Sequence, residues 1–193
     1  MRSHILALFI FMLAACSCGT QKAATSVRNP KVQTTFFNAH FGESLAFTER
    51  KIERDYYLHY TNKRNEREMN NVPFAGRDWP YVYISFVESH SYGDRRYSQL
   101  FSNIGFVYNS KDKKKAAERF EDVYRLLSDK YPLVRIHSSV QFEKEYAYKD
   151  SAGNLVMIGL KRSADEANTW LCMLAYSWGK AKEIEMDKAR KDI

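Results

Sequence analysis

Apolar residues recur along this chain with two distinct periods, and the clearest stretch is helical. From Ser110 onward, Ala116, Phe120, Val123, Tyr124, Leu127 and Tyr131 follow one another at spacings of 4, 3, 1, 3 and 4, which is one face of an α-helix. Lys115, Arg119, Asp122, Arg125 and Asp129 fill the opposite positions, so the spacing predicts a helix over 112–130 that Pro132 ends. Elsewhere the period is two. Along 79–88, Val82, Ile84 and Phe86 fall on one face, and Trp79, Tyr81, Tyr83 and Ser85 on the other. His90-Ser91-Tyr92-Gly93-Asp94 then supplies a turn, and 99–108 a returning strand. A second hairpin is predicted from 140–149 and 155–162, about a Gly-containing turn at 150–154. The stretch 168–177 is a further strand, wholly apolar from Trp170 to Ala175.

The weaker patterns complete the order. A strand is expected over 32–38, then a break at Gly42-Glu43-Ser44, with Ser44 as N-cap of a helix over 45–54. The stretch 55–61 either extends that helix or begins a strand, and its Tyr and Thr favour strand; the charged, Asn-rich stretch 62–71 reads as a loop. The charged tail 179–193 reads as a fraying helix. The order helix-strand-strand-strand thus occurs twice, with corresponding elements about 70 residues apart, the mark of a duplicated unit. The expected class is α+β: an antiparallel meander sheet with helices on one face.

Ahead of this domain lies a different pattern. Met1-Arg2-Ser3-His4 is short and cationic, and the 11 residues from Ile5 to Ala15 are all apolar. A spanning helix needs about 20 apolar residues, whereas a secretory h-region is this short. Leu13-Ala14-Ala15-Cys16 follows the lipobox pattern, and the segment resembles the signal peptide of a bacterial lipoprotein. That resemblance implies cleavage before Cys16, diacylglyceryl modification of its thiol and N-acylation. Each buried methylene then contributes about 0.8 kcal/mol, and more than one chain makes anchoring stable. Ordinary cleavage to a free protein and an uncleaved anchor are the alternatives; Cys18 is the poorer thiol. The organisation expected is a signal peptide at 1–15, the lipidated Cys and a flexible tether at 16–30, and one α+β domain at 31–193. Residues 17–22 contain no acid, which favours the periplasmic face of the outer membrane within the bacterial envelope.

Composition narrows the partners. The chain has 193 residues, 45% apolar and 27% charged, with 13 Tyr and 12 Phe, an ordinary globular balance rich in residues that suit half-buried sheet. The net charge of +7 is spread among acids rather than gathered in a stripe, so nucleic acid is not an expected partner. Three cysteines, one of them acylated, leave no disulfide framework, and Cys172 in its apolar run reads as a small core hydrophobe.

No spacing in the chain activates a nucleophile or holds a metal. His40, His59, His90 and His137 form no His-x-x-x-His pair. Ser110-Lys111-Asp112-Lys113 and Ser177-Trp178-Gly179-Lys180 match Ser-x-x-Lys without its companion motifs. Glu143 and Glu145 are two apart and share one strand face rather than facing each other across a cleft. No cofactor is implied. What remains is binding chemistry. Trp79, Tyr81 and Tyr83 would make an aromatic platform for a partner strand or a glycan ring. Arg95 and Arg96 at a hairpin, with Lys113 and Lys114 at a helix start, would form a patch for anionic headgroups or an acidic partner. The expected function is a non-enzymatic, membrane-tethered binding or assembly module with an envelope protein as partner. The alternatives are a glycan-binding lipoprotein and, third, a periplasmic hydrolase.

Several segments carry a family likeness: Pro73-Phe74-Ala75-Gly76, Leu127-Ser128-Asp129-Lys130-Tyr131-Pro132, the run from Tyr148-Lys149-Asp150 through Ile158-Gly159-Leu160, Leu174-Ala175-Tyr176, and Lys191-Asp192-Ile193. In this order they make the chain resemble a family of small, functionally uncharacterised lipoproteins of Gram-negative bacteria. The resemblance implies secretion and an α+β fold and supplies no activity. The doubled helix-and-strands pattern also resembles the β-lactamase-inhibitor-like architecture, half of which is found in the small lipoprotein of the outer-membrane barrel-assembly machinery.

Overall fold

A computed structural model describes residues 29–90, 97–136 and 142–191 of the chain. Ten strands and three helices follow in the order β1 Thr35–Phe36, β2 Ala39–His40, α1 Leu45–Ile52, β3 His59–Tyr60, β4 Glu66–Phe74, β5 Arg77–His90, β6 Tyr97–Ser110, α2 Lys113–Ser128, β7 Val134–Arg135, β8 Lys144–Lys149, β9 Leu155–Arg162, β10 Trp170–Ser177 and α3 Ala181–Lys191. Eight strands make one antiparallel sheet in the order β3-β4-β5-β6-β10-β9-β8-β7, so the class is mixed α+β.

The sheet is apolar on both sides near its centre. In β10, Cys172, Leu174 and Tyr176 enter the main core, while Leu171 and Met173 enter a second, smaller cluster on the reverse face. A strand buried on both faces must read as a continuous apolar run, as 170–175 does. Helix α2 covers the main-core face. Ala116, Phe120, Val123 and Leu127 are its buried residues, and Tyr131 just beyond its end is buried with them. The Asp112 carboxylate caps the helix by accepting from Lys114 N at 2.8 Å. Helix α1 adds Ile52 to the same core, and α3 packs against β5.

Turn chemistry fixes the first hairpins. Ala75 and Gly76 both have positive φ, 52° and 69°, and join the paired residues Phe74 and Arg77. Two central residues in this conformation suit the right-handed twist of the flanking strands. Phe37 and Asn38, at φ 51° and 65°, do the same between β1 and β2. The strand expected over 32–38 is therefore only two residues long, because the chain reverses immediately after Phe36.

Three further expectations are corrected. The loop expected over 62–71 covers only 62–65: β4 occupies Glu66–Phe74, and Glu66, Arg67, Glu68 and Met69 are all buried. Two of its charges have partners, with Arg67 Nε 2.6 Å from Glu49 Oε1 of α1 and Lys63 Nζ of the preceding turn 3.4 Å from Glu66 Oε2. Of 55–61 only His59 and Tyr60 are strand. The faces of β5 also differ from simple alternation. Trp79 lies in the main core with Val82, Ile84 and Phe86, whereas Tyr83, with Tyr81 against it, belongs to the reverse-face cluster. The switch falls at Pro80, opposite Asn71, whose φ is 55°. A proline and a left-handed residue facing each other let the strand pair change face there. A second irregularity, an extra residue at Ser102, lies between the pairs Ser85–Asn103 and Phe86–Phe101. Among the described residues, no helix is long and apolar enough to cross a membrane.

Candidate functional site

A network of hydrogen bonds holds the N-terminal segment where it joins the domain. The β8–β9 turn is built on Asp150, whose carboxylate accepts from Ala152 N at 3.0 Å, Asn154 N at 2.8 Å and Asn154 Nδ2 at 3.1 Å. The same carboxylate accepts from Val32 N at 3.0 Å, across 118 residues of sequence. On either side of Val32, the Tyr148 hydroxyl donates to the Pro30 carbonyl at 3.0 Å, and Gln33 N donates to the Tyr131 hydroxyl at 3.3 Å. Burial, with the Asp150 carboxylate and Tyr131 beside it, raises the Tyr148 phenol above its ordinary value, so it remains a donor. From the far side, Gly179 N donates to Asn154 Oδ1 at 2.9 Å. A Cβ at Gly179 would collide with the Ala152 carbonyl and the Gly153 backbone, so this close approach needs glycine. Three separated segments, 30–33, 148–154 and 178–180, thus meet at one turn.

A second feature is an open groove of about 570 Å³ between the Ala75–Gly76 turn and the outer face of α2, lined by Ala75, Gly76, Arg77, Asp122, Arg125, Leu126 and Asp129. Arg77 Nη2 lies 2.8 Å from Asp122 Oδ2, and Arg125 Nη2 lies 3.5 Å from Asp122 Oδ1. Leu126 beside them is 51% exposed. The groove thus sets the exposed Leu126 beside a partly solvated Arg–Asp–Arg array.

The residues singled out from sequence are dispersed. Trp79 is fully buried; its indole Nε1 donates to the Phe74 carbonyl at 3.0 Å, and Arg119 lies 5.7 Å above its ring. It therefore presents no free face to a ligand, and it is on the opposite side of the sheet from Tyr81 and Tyr83. Tyr83 is buried and Tyr81 half-buried. The three do not form one exposed stripe. Lys113 is 2.7 Å from Glu143 and its Nζ sits 4.5 Å over the Trp170 ring, so its charge is engaged within the fold. Lys114 is exposed at the helix start, 3.9 Å from Glu118. Cys16, Arg95 and Arg96 lie outside the described residues, as does the His137 side chain.

Buried charge is concentrated on the reverse face. Glu145 and Lys161 are both buried there, beside Gly159 and Leu171 in register. Burial raises the Glu145 carboxyl against the opposing pull of Lys161. Burial lowers the Lys161 amine, opposed by Asp165 and Glu145, and its Nζ lies 5.4 Å from the Phe142 ring. On the main-core side, burial pushes the Cys172 thiol up to about 12, so it is neither a thiolate nor a ready nucleophile. Among the described residues no group of three or more His, Cys, Asp or Glu side chains is placed to hold a metal ion.

The groups at the N-terminal junction were not found by sequence reasoning. The 150–154 turn was legible from its Asp, Gly and Asn, but its bond to Val32 joins residues too distant for any local pattern. Comparison with protein-family models, with curated proteins and with solved structures gives no match.

Proposed function

We propose that the protein is a lipid-anchored lipoprotein of the bacterial envelope, held at the periplasmic side of the outer membrane through acylated Cys16, whose domain is a non-enzymatic binding or assembly module. The observation that carries this reading is the Leu13-Ala14-Ala15-Cys16 pattern closing an 11-residue apolar run. The fastening of Pro30, Val32 and Gln33 supports it. The fastening sets where the tethered segment leaves the domain, at the end that carries the Asp150 turn. Within this reading the groove beside α2 is the docking surface for an envelope protein. Metabolic labelling with palmitate tests the anchor: label is expected on the wild-type chain and lost in Cys16→Ser, and label that persists in the variant moves the anchor to Cys18. A photocrosslinker at Leu126 tests the groove, with capture of one envelope protein expected and its loss on Arg77→Glu.

A second reading, glycan binding, now rests on different residues. Tyr57 and Tyr60 are 76% and 73% exposed at the β3 edge, with His59 packed 4.7 Å from the Tyr57 ring. Retention on peptidoglycan or lipopolysaccharide that disappears with Tyr57→Ala and Tyr60→Ala would favour it. We also infer that the domain arose by duplication. Each half runs helix, two-residue edge strand, then three longer strands, and the halves join between β6 and β10. This pattern accords with the resemblance to the β-lactamase-inhibitor-like architecture.

A further inference from the structure

Four lysines surround the junction at which the N-terminal segment enters the domain. Lys31 lies between Pro30 and Val32, the two residues held by Tyr148 and Asp150. Lys130 precedes Tyr131, with its Nζ 5.2 Å from that ring. Lys149 Cε lies 3.6 Å from where a Cβ of Gly153 would be, and Lys180 follows Gly179, which packs on Gly153. All four are exposed. None forms an ion pair with a described residue, as is also true of the exposed Arg50, Arg54, Lys111 and Lys115 elsewhere in the domain. The acid at the centre of the four, Asp150, is buried and already accepts four N–H groups. Part of the chain's net +7 is therefore displayed, uncompensated, around the attachment point of the tether.

We propose that this end of the domain is its membrane-docking face, with Lys31, Lys130, Lys149 and Lys180 contacting the anionic phospholipid headgroups of the bilayer that holds acylated Cys16. The proposal rests on the anchor reading above. Cys16 and Pro30 are 14 residues apart in the sequence, so the junction is the part of the described domain nearest the anchor along the chain. Screening confines the attraction of each lysine to about 8 Å at physiological ionic strength, so only the face nearest the bilayer gains from it. The bonds to Pro30, Val32 and Gln33 fix the point at which the anchored segment leaves the domain, and they place that point at the lysine end. Basic side chains beside a lipid anchor form the second signal that strengthens attachment to anionic bilayers.

The test uses the mature acylated chain, reconstituted into phosphatidylcholine vesicles with or without phosphatidylglycerol. Lysines are acetylated in a brief pulse and read individually by mass spectrometry. Lys31, Lys130, Lys149 and Lys180 are expected to react several-fold more slowly in the anionic vesicles, with the difference abolished by high salt. Lys114, whose side chain is 84% exposed, is expected to react equally in both. Equal rates for the four lysines in the two vesicles, or equal protection of Lys114, would overturn the docking face while leaving the anchor intact. A wild-type chain that takes up no palmitate would remove the anchor reading, and the docking proposal with it.

Discussion

The rings of Tyr131 and Tyr148 stack with centroids 5.6 Å apart and an interplanar angle of 19°, and each directs its hydroxyl to the backbone of the entering N-terminal segment. One tyrosine follows the C-terminus of α2 and the other belongs to β8. The pair therefore locks helix, sheet and N-terminal segment together, with the Asp150 carboxylate completing the lock at Val32.

Removing that carboxylate leaves several buried N–H groups without partners. Asp150→Ala is expected to cost at least about 3 kcal/mol, since hydrogen bonds to a charged acceptor are worth about 1.5–3 kcal/mol each and the carboxylate accepts four. Urea melts measure it. Asp150→Asn, which keeps the shape and loses the charge, should fall between wild type and Ala.

The apolar face of α2 supports a second expectation. Phe120 is 1% exposed, and Phe120→Ala should cost about 3–5 kcal/mol in the same melts. Leu126, on the solvent side of the same helix, should change stability by no more than about 0.5 kcal/mol when truncated to Ala. Equal losses at the two positions would contradict the packing.

Glu66 makes stability depend on pH. Burial raises its carboxyl above the ordinary 4.5, against the lowering effect of Lys63. Its folded-state value therefore lies above its unfolded one. Its contribution to stability is fully present below the ordinary carboxylate value and is lost as pH rises through the raised one. Glu66→Gln should then raise the urea midpoint near neutral pH, leave it unchanged in acid, and flatten the profile between. A parallel profile for the two proteins would show that the buried carboxylate is better solvated than its surroundings indicate.

Cys172 should be silent toward alkylating reagents in the native protein. With its thiol pushed up to about 12 and its side chain fully buried, iodoacetamide at mildly alkaline pH should label it only after unfolding. Time-resolved mass measurement, with and without urea, checks this, and rapid native labelling would place the thiol in a mobile part of the core.

How much of this was legible in the chain depended on whether local patterning matched local burial. Helix α2 and strand β9 were read almost to the residue, because Phe120, Val123 and Leu127, and Val156, Ile158 and Leu160, carry their own periods. Strand β4 was not legible. Glu66-Arg67-Glu68 looks like solvated loop, and only the approach of Glu49 from α1 and of Lys63 makes its burial tolerable. The aromatic face of β5 was misread because Trp79 and Tyr81 are two apart, yet Pro80 and the left-handed Asn71 separate them. Pro80 was the signal available, since proline inside a strand marks an irregularity. The Tyr131–Tyr148–Asp150 lock had no sequence signal, because its partners come from four separate stretches of chain.

The seam between β6 and β10 has a consequence for the order of folding. Asn103–Ser110 pairs with Trp170–Ser177 in one unbroken antiparallel register. Some 60 residues of sequence separate the two strands, so this pairing is non-local and forms more slowly than the β4–β5–β6 hairpins. Until it forms, β6 offers an open edge carrying Ile104, Phe106 and Val107, which is a template for pairing with the wrong chain. A substitution that delays β10 from pairing is therefore expected to leave that edge open for longer and to favour aggregation.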